Sequence, residues 1–502
     1  MLRDAYKNLG DGIDVKESLL QVKEDLKSTE RGSRSKDALL LMMKDDYSVF
    51  YELLKNDDPK IRKNSAIVLG VLGNPESVDE LYAAYKKEDV MYNMASYVEA
   101  IRKTDYTKYK AELKERFETL KKTPISTENK KHVLDEMKQL KTIFGTGKLE
   151  FIGYDKVNEC ILTTNRNFKN LTCNALKDIS HKEFAAGVIV KTNKLKQVLP
   201  IRTYEEILFV PDKVKTVTAD PVMAAKELVD GGLKEYIFDR VGIVGDRFGE
   251  NDTTRVNFRT ELRIKDKTKA EDFSKKFSSE IEILTKWELS NSVSDYAVEL
   301  RLVESSSGKL NVLIKFSVLK DVRFTYRKEN IAAGIKPYLA ATLMQLAGPY
   351  LKGNTSVLDP FCGVGTLLAE RELAANARLY YGIDIFGEAI DKAKANLKSF
   401  GLLKKTELIN KDFFQFEHAY KFDEVVTDMP FVTEKKTLEE IDRLYASFFE
   451  KIGELLEKKA VMVLYTRNPE LVKKYYVSSG CRLAEDYEIS KFENAHLMIL
   501  ER

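Results

Sequence analysis

The segment from Thr355 to Asn376 constrains the fold more than any other part of the 502-residue sequence. It begins with a short apolar run, Thr355–Leu358, which is typical of a buried strand. The run continues into Asp-Pro-Phe-Cys-Gly-Val-Gly-Thr at 359–366, and a helical pattern follows over Leu367–Asn376. Glycines between a strand and a helix let the backbone approach a nucleotide-like ligand closely. The segment therefore predicts a ligand-binding loop at the carboxyl end of a strand in an α/β domain.

Acidic residues follow the next two predicted strands. The strand Leu379–Ile383 ends in Asp384, nineteen residues after Gly365. A carboxylate at this position suits the two hydroxyls of a ribose. The strand Thr406–Ile409 leads to Asp412, which is predicted to accept a hydrogen bond from an adenine amino group, with the next ring against the adenine. A helix cap or turn is the alternative for that carboxylate.

These positions fit S-adenosylmethionine (SAM) better than a dinucleotide, because the loop has no G-x-G-x-x-G, an aspartate precedes its glycines and a third acidic site follows. Further predicted strands lie at 423–427, 460–465, 481–487 and 496–500, the last two as an antiparallel pair. Predicted helices lie between them at 387–400, 437–456 and 469–479. Seven strands in this order predict the class I SAM-methyltransferase sheet. The residues predicted to bind SAM are Asp359, Cys362, Gly363, Gly365, Thr366, Asp384, Ile385, Asp412 and Phe413.

The predicted fourth strand ends in the tetrad Asp428-Met429-Pro430-Phe431. Ligands of open α/β sheets bind beyond the carboxyl ends of strands, so the tetrad is expected beside the cofactor loop. An exocyclic amine is a poor nucleophile because its lone pair is delocalised into the ring. The Asp428 carboxylate and a backbone carbonyl near Met429 can accept its two N–H bonds and direct the lone pair towards the methyl group. Pro430 stiffens the backbone and Phe431 offers a stacking face for an extruded base; a simple strand-end turn is the alternative.

The first part of the chain, residues 1–149, shows one helical pattern after another. Its clearest segment runs from Asp58-Pro59 to Gly73, where Pro59 suits a helix start and Gly73 a helix end. The predicted buried face of this helix contains Ile61, Ser65, Val68, Leu69 and Leu72. The next helix is predicted to bury Val78, Leu81, Tyr82 and Tyr85. The pair resembles a HEAT repeat in a single clean copy, so an all-α packing or protein-interaction module is expected. Direct RNA binding is the alternative.

Residues 150–326 alternate strands with helices, which predicts small α+β modules. Predicted strands lie at 161–164, 187–190, 255–262, 296–302 and 312–318, and predicted helices at 168–176 and 270–284. The element order and the closing segment Val322–Arg327 resemble the ferredoxin-like plus THUMP region of RNA-modifying enzymes. Candidates for phosphate contacts, if they are not solvated surface charges, are Arg255, Arg259, Lys275, Lys276, Arg323, Arg327 and Lys328.

Composition says more about the cellular location of the protein than about its function. The 82 basic and 79 acidic residues give a net charge of +3, which excludes a strongly basic chain but not a local basic face. The four cysteines and four histidines are scattered, so we expect neither a disulfide framework nor a metal site. No apolar run reaches the ~18 residues of a membrane span, and the start lacks an apolar signal core. A cytoplasmic protein that does not enter a membrane is therefore expected.

Residues from about Glu150 to Arg502 resemble the THUMP-containing N2-guanine RNA methyltransferases. The resemblance is strongest at 359–366 and 428–431, and the Arg327–Ala341 segment is similar to the run before the loop in that family. It implies SAM as cofactor, RNA as partner, a methyltransferase domain at 327–502, and a base site formed by Asp428, Pro430 and Phe431.

Three features depart from the family pattern. Met429 replaces the first proline of the tetrad and Phe431 its tyrosine. Val432-Thr433-Glu434 stand where the family has glycine or basic residues, which leaves the shape of the base pocket open. The HEAT-like N-terminal part, residues 1–149, is a further departure, and the way in which tRNA binds is therefore not predicted. A protein partner is the other ligand expected for that part.

Three functions remain open. The favoured one is N2-guanine methylation of tRNA or rRNA. A second keeps the chemistry and changes the acceptor to adenine N6 in RNA or DNA, or to a glutamine amide, because the tetrad serves any planar amine. A third is a non-catalytic SAM-fold scaffold that acts through the helical front, and the four acidic site residues argue against it: Asp359, Asp384, Asp412 and Asp428.

Overall fold

The computed structural model describes residues 2–28, 32–123, 128–143, 148–243, 255–434 and 436–502. The chain divides into two compact units, residues 1–147 and 148–502. Among the described residues, no helix has the length and apolar character that a membrane crossing requires.

The described part of the first unit is helical, as its sequence pattern predicts. Its α-helices are α1 (Leu2–Asp11), α2 (Val15–Lys27), α3 (Gly32–Met43), α4 (Ser48–Leu53), α5 (Pro59–Leu72), α6 (Val78–Lys87), α7 (Met91–Ile101), α8 (Lys110–Lys122) and α9 (Lys130–Ile143). Short loops join most of them, so neighbouring helices pack side by side.

Helix α5 begins and ends where its sequence predicts. The Asp58 side chain caps the first turn by accepting a backbone N–H, and Gly73 ends the helix at a φ of 71°. All five residues predicted to face inward from α5 are buried, and in α6 only Tyr82 of the predicted four is half-buried. A Cβ at Gly70 would lie 2.7 Å from the Cα of Ala100. The close contact between α5 and α7 therefore requires a glycine at this position.

The second unit begins with a region of mixed strands and helices. Its strands are β1 (Leu149–Phe151), β2 (Asn158–Thr164), β3 (His181–Phe184), β4 (Gly187–Thr192), β5 (Tyr204–Val210), β6 (Thr216–Val217), β7 (Val241–Ile243), β8 (Val256–Arg263), β9 (Leu289–Asn291), β10 (Val298–Glu304) and β11 (Leu310–Phe316). Its helices are α10 (Lys169–Leu176), α11 (Leu195–Val198), α12 (Pro221–Asp230), α13 (Leu233–Phe238) and α14 (Ala270–Leu284). The five predicted strands and two predicted helices are all present, with ends shifted by a few residues.

The structure differs from the predicted small modules because nine of these strands share one sheet. Its order is β3-β4-β2-β5-β11-β10-β8-β9, with β6 also on β11, whereas β1 pairs only with β7. The two halves join at β5, which pairs with β2 and, through Phe209 opposite Ile314, with β11. The sequence did not predict β5 because Leu208, Phe209 and Val210 are all buried and give no alternation.

The rest of the second unit is an α/β domain. Its helices are α15 (Pro337–Ala347), α16 (Thr366–Ala374), α17 (Gly387–Phe400), α18 (Leu438–Leu455) and α19 (Pro469–Tyr475). Its strands are β12 (Ser356–Asp359), β13 (Leu379–Asp384), β14 (Thr406–Asn410), β15 (Phe422–Asp428), β16 (Leu456–Thr466), β17 (Arg482–Ser490) and β18 (Ala495–Glu501). The sheet order is β14-β13-β12-β15-β16-β18-β17, and β18 runs antiparallel to both neighbours. This confirms the predicted seven-stranded class I methyltransferase sheet. Strand order reverses between β12 and β15, which opens a crevice at their carboxyl ends.

A buried ion pair ties helix α16 to strand β15. Arg371 is fully buried, and its guanidinium contacts both carboxylate oxygens of Glu424, with Nη2 2.6 Å from Oε2. The same Nη2 donates to the backbone carbonyl of Lys352 at 2.8 Å. Because α16 starts at the glycine loop and β15 ends at the tetrad, the pair fixes the two segments relative to each other.

Two sets of contacts join the mixed region to the α/β domain within the second unit. Arg202 makes a bidentate pair with Glu370 of α16, at 2.6 and 3.2 Å, and the Tyr326 hydroxyl donates to the same carboxylate at 2.5 Å. The side-chain amides of Asn165 and Asn167 each donate to a backbone carbonyl of β17 at 2.8 Å. Residues of the mixed region thus hold strand β17 and helix α16 in place.

Candidate active site

A cavity of about 330 Å³ lies at the carboxyl ends of β12 and β15. It is formed by the glycine loop, the tetrad and the segment that precedes α15. The predicted site residues that line it are Asp359, Cys362, Gly363, Thr366, Asp384, Asp428, Pro430 and Phe431. Loop and tetrad are separated by about sixty residues of sequence, and the parallel pairing of β12 with β15 brings them together.

The glycine loop turns tightly against β13. The Cys362 N–H donates to the Ile383 carbonyl and the Gly365 N–H to the Cys362 carbonyl, each at 2.8 Å. Gly363 and Gly365 have φ values of 52° and 77°, a conformation that side chains with a Cβ rarely adopt. Gly365 directly precedes α16, so the turn exposes the N–H groups of the first helical turn to the cavity side.

Asp359 is the innermost carboxyl group of the site, with 1% of its surface exposed. Its Oδ1 accepts hydrogen bonds from the Thr427 hydroxyl at 2.6 Å and from the Phe361 N–H at 3.1 Å. Burial raises the pKa of Asp359 to about 7, and the nearby carboxylates of Asp428 and Asp384 act in the same direction. A cationic ligand in the cavity would compensate this charge.

The carboxylate of Asp384 is oriented by the loop itself. Its Oδ2 accepts from the Gly363 N–H and its Oδ1 from the Phe386 N–H, both at 2.9 Å. The hydroxyl of Thr366 is buried at the cavity and has no hydrogen-bond partner among the described residues. A buried hydroxyl without a partner is rare in a folded protein and suits a polar group of a bound ligand.

Four predicted cofactor-binding residues do not line the cavity: Gly365, Ile385, Asp412 and Phe413. Ile385 is 61% exposed. Asp412 caps a short turn by accepting the Phe414 N–H at 3.0 Å, which was the alternative interpretation of this carboxylate. Phe413 is buried in an aromatic cluster with Phe361 and Phe448. Their contact with the cofactor stays a prediction.

The tetrad turns away from the sheet directly after β15. The Met429 N–H donates to the carbonyl of Tyr465 on β16 at 2.8 Å, and the Met429 side chain is buried. Asp428 lines the cavity, and its surrounding by protein raises its pKa to about 7, although the positive charge of Arg467 lowers it in part. The tetrad therefore presents a carboxyl group that is only half ionised near neutral pH.

Arg467 is a neighbour of the tetrad that the sequence did not single out. Its guanidinium carbon lies 3.9 Å from the centroid of the Phe431 ring. Phe431 lines the cavity but Arg467 does not, so the guanidinium backs the ring from outside the cavity. A cation over a phenyl face stabilises the position of that ring. No motif marks Arg467, because its contact with Phe431 arises only when β16 pairs with β15.

The segment 327–336 forms a strap over the cofactor loop, and Ile331, Ala333, Gly334 and Ile335 line the cavity. The buried side chain of Asn396, on α17, holds both parts. Its Oδ1 accepts from the N–H groups of Lys328 and Glu329, and its Nδ2 donates to the carbonyls of Glu329 and Val364, at 2.8–3.1 Å. The sequence indicated this segment only through its family resemblance, since it has no helical or strand periodicity.

Phe386 and Lys436 are among the further lining residues that were not predicted. Phe386 follows the acidic tip of β13 and is 68% exposed, so its ring is available to a flat ligand. An exposed aromatic residue two positions after Asp384 is the sequence signal that would have found it. Lys436 follows the tetrad by five residues and brings a positive charge to the cavity mouth.

The basic residues proposed for phosphate contacts divide into two sets. Three arginines have partners within the protein: Arg259 with Glu299, Arg323 with Asp321, and Arg327 with the Ile335 carbonyl. Arg255 is buried. The exposed members are the lysines Lys275, Lys276 and Lys328. Lys275 and Lys276 pair with carboxylates one turn away on α14, at 2.6 and 2.9 Å, but such solvent-exposed pairs are weak. The structure thus favours a structural role for the arginines and leaves the lysines as phosphate candidates.

Residues 325–490 match the family model described as RMKL-like, methyltransferase domain. A tRNA (guanine(10)-N2)-dimethyltransferase of Methanothermobacter thermautotrophicus is 32% identical over 117 residues, which are 23% of this chain and 33% of that protein. A U6 snRNA (guanine-N(2))-methyltransferase THUMPD2 of Bos taurus is 30% identical over 113 residues, 22% of either chain. The chain therefore matches a third or less of the length of these relatives.

The crystal structure of a predicted N6-adenine-specific DNA methylase from Listeria monocytogenes superposes with a TM-score of 0.50 at 13% identity. The superposition covers 68% of this chain and 96% of the bacterial one. At this identity the likeness concerns the fold alone.

Fold, cavity and family match define residues 325–490 as a class I SAM-dependent methyltransferase domain. Its loop and tetrad resemble those of the THUMP-containing N2-guanine RNA methyltransferases, and the two relatives above have guanine-N2 methyltransferase names. SAM supplies an electrophilic methyl group on a positively charged sulfur. The residues present fit it: Asp384 suits a ribose, the unpaired Thr366 hydroxyl suits a polar group, and the buried Asp359 suits the positive charge.

Proposed function

We propose that this protein transfers a methyl group from SAM to the exocyclic N2 amine of a guanosine in tRNA or rRNA. The observation that carries the proposal is that the Asp428 carboxyl group and the cofactor loop line one cavity. Guanine N2 is supported by the relatives, whose methyltransferase regions are similar and whose names give guanine N2 as their acceptor.

In the proposed reaction the tetrad positions the amine. The ionised Asp428 carboxylate accepts one N–H bond and a backbone carbonyl near Met429 accepts the other. Together they hold the nitrogen lone pair out of conjugation with the ring. The hydrogen bond from Met429 to Tyr465 keeps this turn rigid. Phe431, backed by Arg467, stacks on the extruded base.

The Asp428 carboxylate also stabilises the positive charge that develops on the amine during the reaction. The amine nitrogen becomes positive as its new N–C bond forms, and Asp428 stabilises that charge at short range. The surplus proton leaves the nitrogen for this carboxylate and then for solvent. The partial burial of Asp428 strengthens the interaction, because a low-dielectric surrounding screens it less than water does.

We further propose that the region 150–326 is the ferredoxin-like and THUMP-like part that holds RNA. Its element order supports this, with β8, α14 and β10 forming a strand–helix–parallel strand unit. The exposed lysines Lys275 and Lys276 of α14 pair with Glu271 and Asp272 one turn away, and such exposed pairs are weak enough to exchange for phosphates. For the first unit we propose a HEAT-like module with a protein partner, supported by the α5–α6 pair.

A cytoplasmic location is also part of the proposal. All four cysteines are free thiols: Cys160, Cys173, Cys362 and Cys481. Free cysteines in a chain of this size are typical of a reducing compartment.

The test is to incubate the full chain with labelled SAM and total tRNA, rRNA or DNA, digest the product to nucleosides and identify the labelled one. We expect N2-methylguanosine from RNA. Asp428→Ala should abolish transfer and leave the SAM dissociation constant nearly unchanged, because Asp428 acts on the acceptor. Asp391→Ala, at an exposed position of α17, is the matched control and should transfer at the wild-type rate.

Other outcomes are equally informative. Label only in N6-methyladenosine, or in no nucleoside, contradicts the guanine proposal. If Asp428→Ala loses SAM affinity and transfer together, the carboxylate serves the cofactor or the fold rather than the base.

A further inference from the structure

The turn between β17 and β18 presents a phenylalanine whose side chain is almost entirely in water. Phe492 is 99% exposed, more than any other large apolar side chain of the described residues. Its chain neighbours Lys491, Glu493 and Asn494 are exposed as well. A phenyl ring in water forgoes the free energy that burial provides. A single exposed ring is not informative by itself, so its place in the fold decides its interpretation.

The turn lies at the edge of the sheet where the tetrad opens into the cavity. On adjacent strands, Asp428 of β15 is beside Tyr465 of β16, and Tyr465 is beside Leu497 of β18. Strand β18 begins only two residues earlier, at Ala495. The preceding turn therefore projects beyond the same edge as Asp428, two strands away from it.

A chain of contacts connects the turn with the ring proposed to stack on the base. Arg467 lies over Phe431 at 3.9 Å, and its Nε is 3.9 Å from a carboxylate oxygen of Glu493. Phe492 is thus adjacent in sequence to a residue that contacts the cation behind Phe431.

The turn is held in place before any ligand arrives. The Glu493 N–H donates to the Ser490 hydroxyl at 3.3 Å, and the Asn494 N–H to the Lys491 carbonyl at 3.4 Å. The end of β17 is braced by the two asparagine amides of the mixed region. These bonds fix the backbone of the turn, so that the ring is presented from a defined position and less order has to be imposed on binding.

The proposed reaction disrupts base stacking in the RNA, and an exposed aromatic ring near the cavity can replace the lost stacking partner. Extruding a base into the cavity leaves the neighbouring base without its stacking partner. An aromatic side chain stacks on any base, because every base has a π-face. We propose that Phe492 stacks on the unpaired RNA base next to the methylated nucleotide. This inference rests on the proposed function as an RNA methyltransferase, and the exposed Lys491 adds positive charge beside the ring for the RNA backbone.

The test compares three substitutions of Phe492 in the full chain with total tRNA as substrate. Phe492→Ala should lower kcat/KM by about 5- to 150-fold, the range found for loss of one base–aromatic stack. Phe492→Trp should retain kcat/KM, and Phe492→Leu should lose it because leucine has apolar area but no π-face. Since the side chain is exposed, the Tm and the SAM dissociation constant should stay at their wild-type values in all three.

Tyr420→Ala is the matched control. Tyr420 is 77% exposed and precedes β15, so it lies at the opposite edge of the sheet from Asp428. This variant should keep the wild-type kcat/KM. The salt dependence of tRNA affinity should have the same slope in Phe492→Ala as in the wild type, because stacking releases no counterions.

The inference is overturned if Phe492→Ala stays within twofold of the wild type, or if Phe492→Leu equals the wild type. Wild-type synthesis of N2-methylguanosine together with either result leaves the proposed function standing. Conversely, if the wild type labels no guanosine but Phe492→Ala weakens tRNA binding and Tyr420→Ala does not, the stacking inference stands and the proposed function fails.

Discussion

Two carboxyl groups share the methyl-transfer cavity, and burial raises the pKa of each, Asp359 and Asp428, to about 7. Raised carboxyl pKa values are typical of functional sites, because a charge that is costly to hold becomes useful when a cation or a donor arrives. Asp359 has two hydrogen bonds on one oxygen already. In the proposed reaction Asp428 contacts the acceptor amine, so its ionisation is expected to control the rate.

We expect kcat/KM with tRNA to rise with pH and level off above about pH 7. Only the ionised carboxylate can stabilise the developing positive charge of the amine and take up its surplus proton. With a folded pKa of about 7 for Asp428, its ionised fraction falls roughly tenfold per pH unit below that value. Initial rates between pH 5.5 and 8.5 at limiting tRNA test this, and a flat profile over that range would contradict it.

Two replacements of Arg467 test whether Asp428 controls the pH dependence of kcat/KM. Its positive charge lowers the pKa of Asp428, so Arg467→Gln should move the inflection to higher pH, whereas Arg467→Lys keeps the charge and the inflection. The other titratable groups that face Asp428 are Asp359, Lys436, Tyr445 and Tyr465. Arg467 also lowers the pKa of the two tyrosines, but burial keeps both above the pH range of the assay. The same inflection in all three proteins would mean that another group controls the profile.

The pair between Arg371 and Glu424 predicts a large effect on stability. Arg371→Ala leaves the buried Glu424 carboxylate without its partner, so we expect the free energy of unfolding to fall by about 3–5 kcal/mol. The double variant Arg371→Met, Glu424→Leu should recover most of this loss, because it removes both charges and keeps the volume. Urea unfolding measures both, with the exposed Lys394→Ala as control. Equal losses in the single and double variants would disprove the charge argument.

At the scale of elements, regular patterns were predictable and irregular segments were not. The loop 359–366 and helix α17 follow from local sequence, because glycine, apolar spacing and caps act within a few residues. The strap 327–336 owes its place to the distant Asn396, and the backing of Phe431 by Arg467 depends on strand pairing. Neither contact leaves a periodic trace in the sequence. Strand β5 escaped prediction because burial on both faces removes alternation.

The strap predicts a cofactor-binding role for Asn396, which does not line the cavity. Asn396→Ala removes four hydrogen bonds that join the strap, α17 and the cofactor loop. Because the strap forms part of the cavity wall, we expect the SAM dissociation constant to rise by about tenfold or more, at about 1 kcal/mol per bond with partial compensation by water. Titration calorimetry with SAM measures this. Lys394→Ala, on the exposed side of the same helix, is the control and should bind SAM with the wild-type dissociation constant. The same result for Asn396→Ala would show that the strap does not contribute to SAM binding.

At the scale of the whole molecule, the cavity and its supports lie within the second unit. The lining residues fall between 331 and 436, and the bracing contacts come from 165–202 and 465–489. We therefore expect a chain that lacks residues 1–147 to fold and to bind SAM with the wild-type dissociation constant. Calorimetry and a thermal unfolding curve test this. Aggregation, or a clear loss of affinity, would show that the second unit depends on the first.

The position of β18 has a consequence for how a cell makes this protein. The strand at 495–501 lies inside the sheet, between β16 and β17. A ribosome delivers it after every residue that lines the cavity. Until then β17 has no partner strand and β16 exposes an apolar edge, the kind of edge that promotes aggregation. A premature stop codon shortly before position 495 would therefore leave every cavity residue in the product, but the product would lack β18 and is expected to aggregate or be degraded.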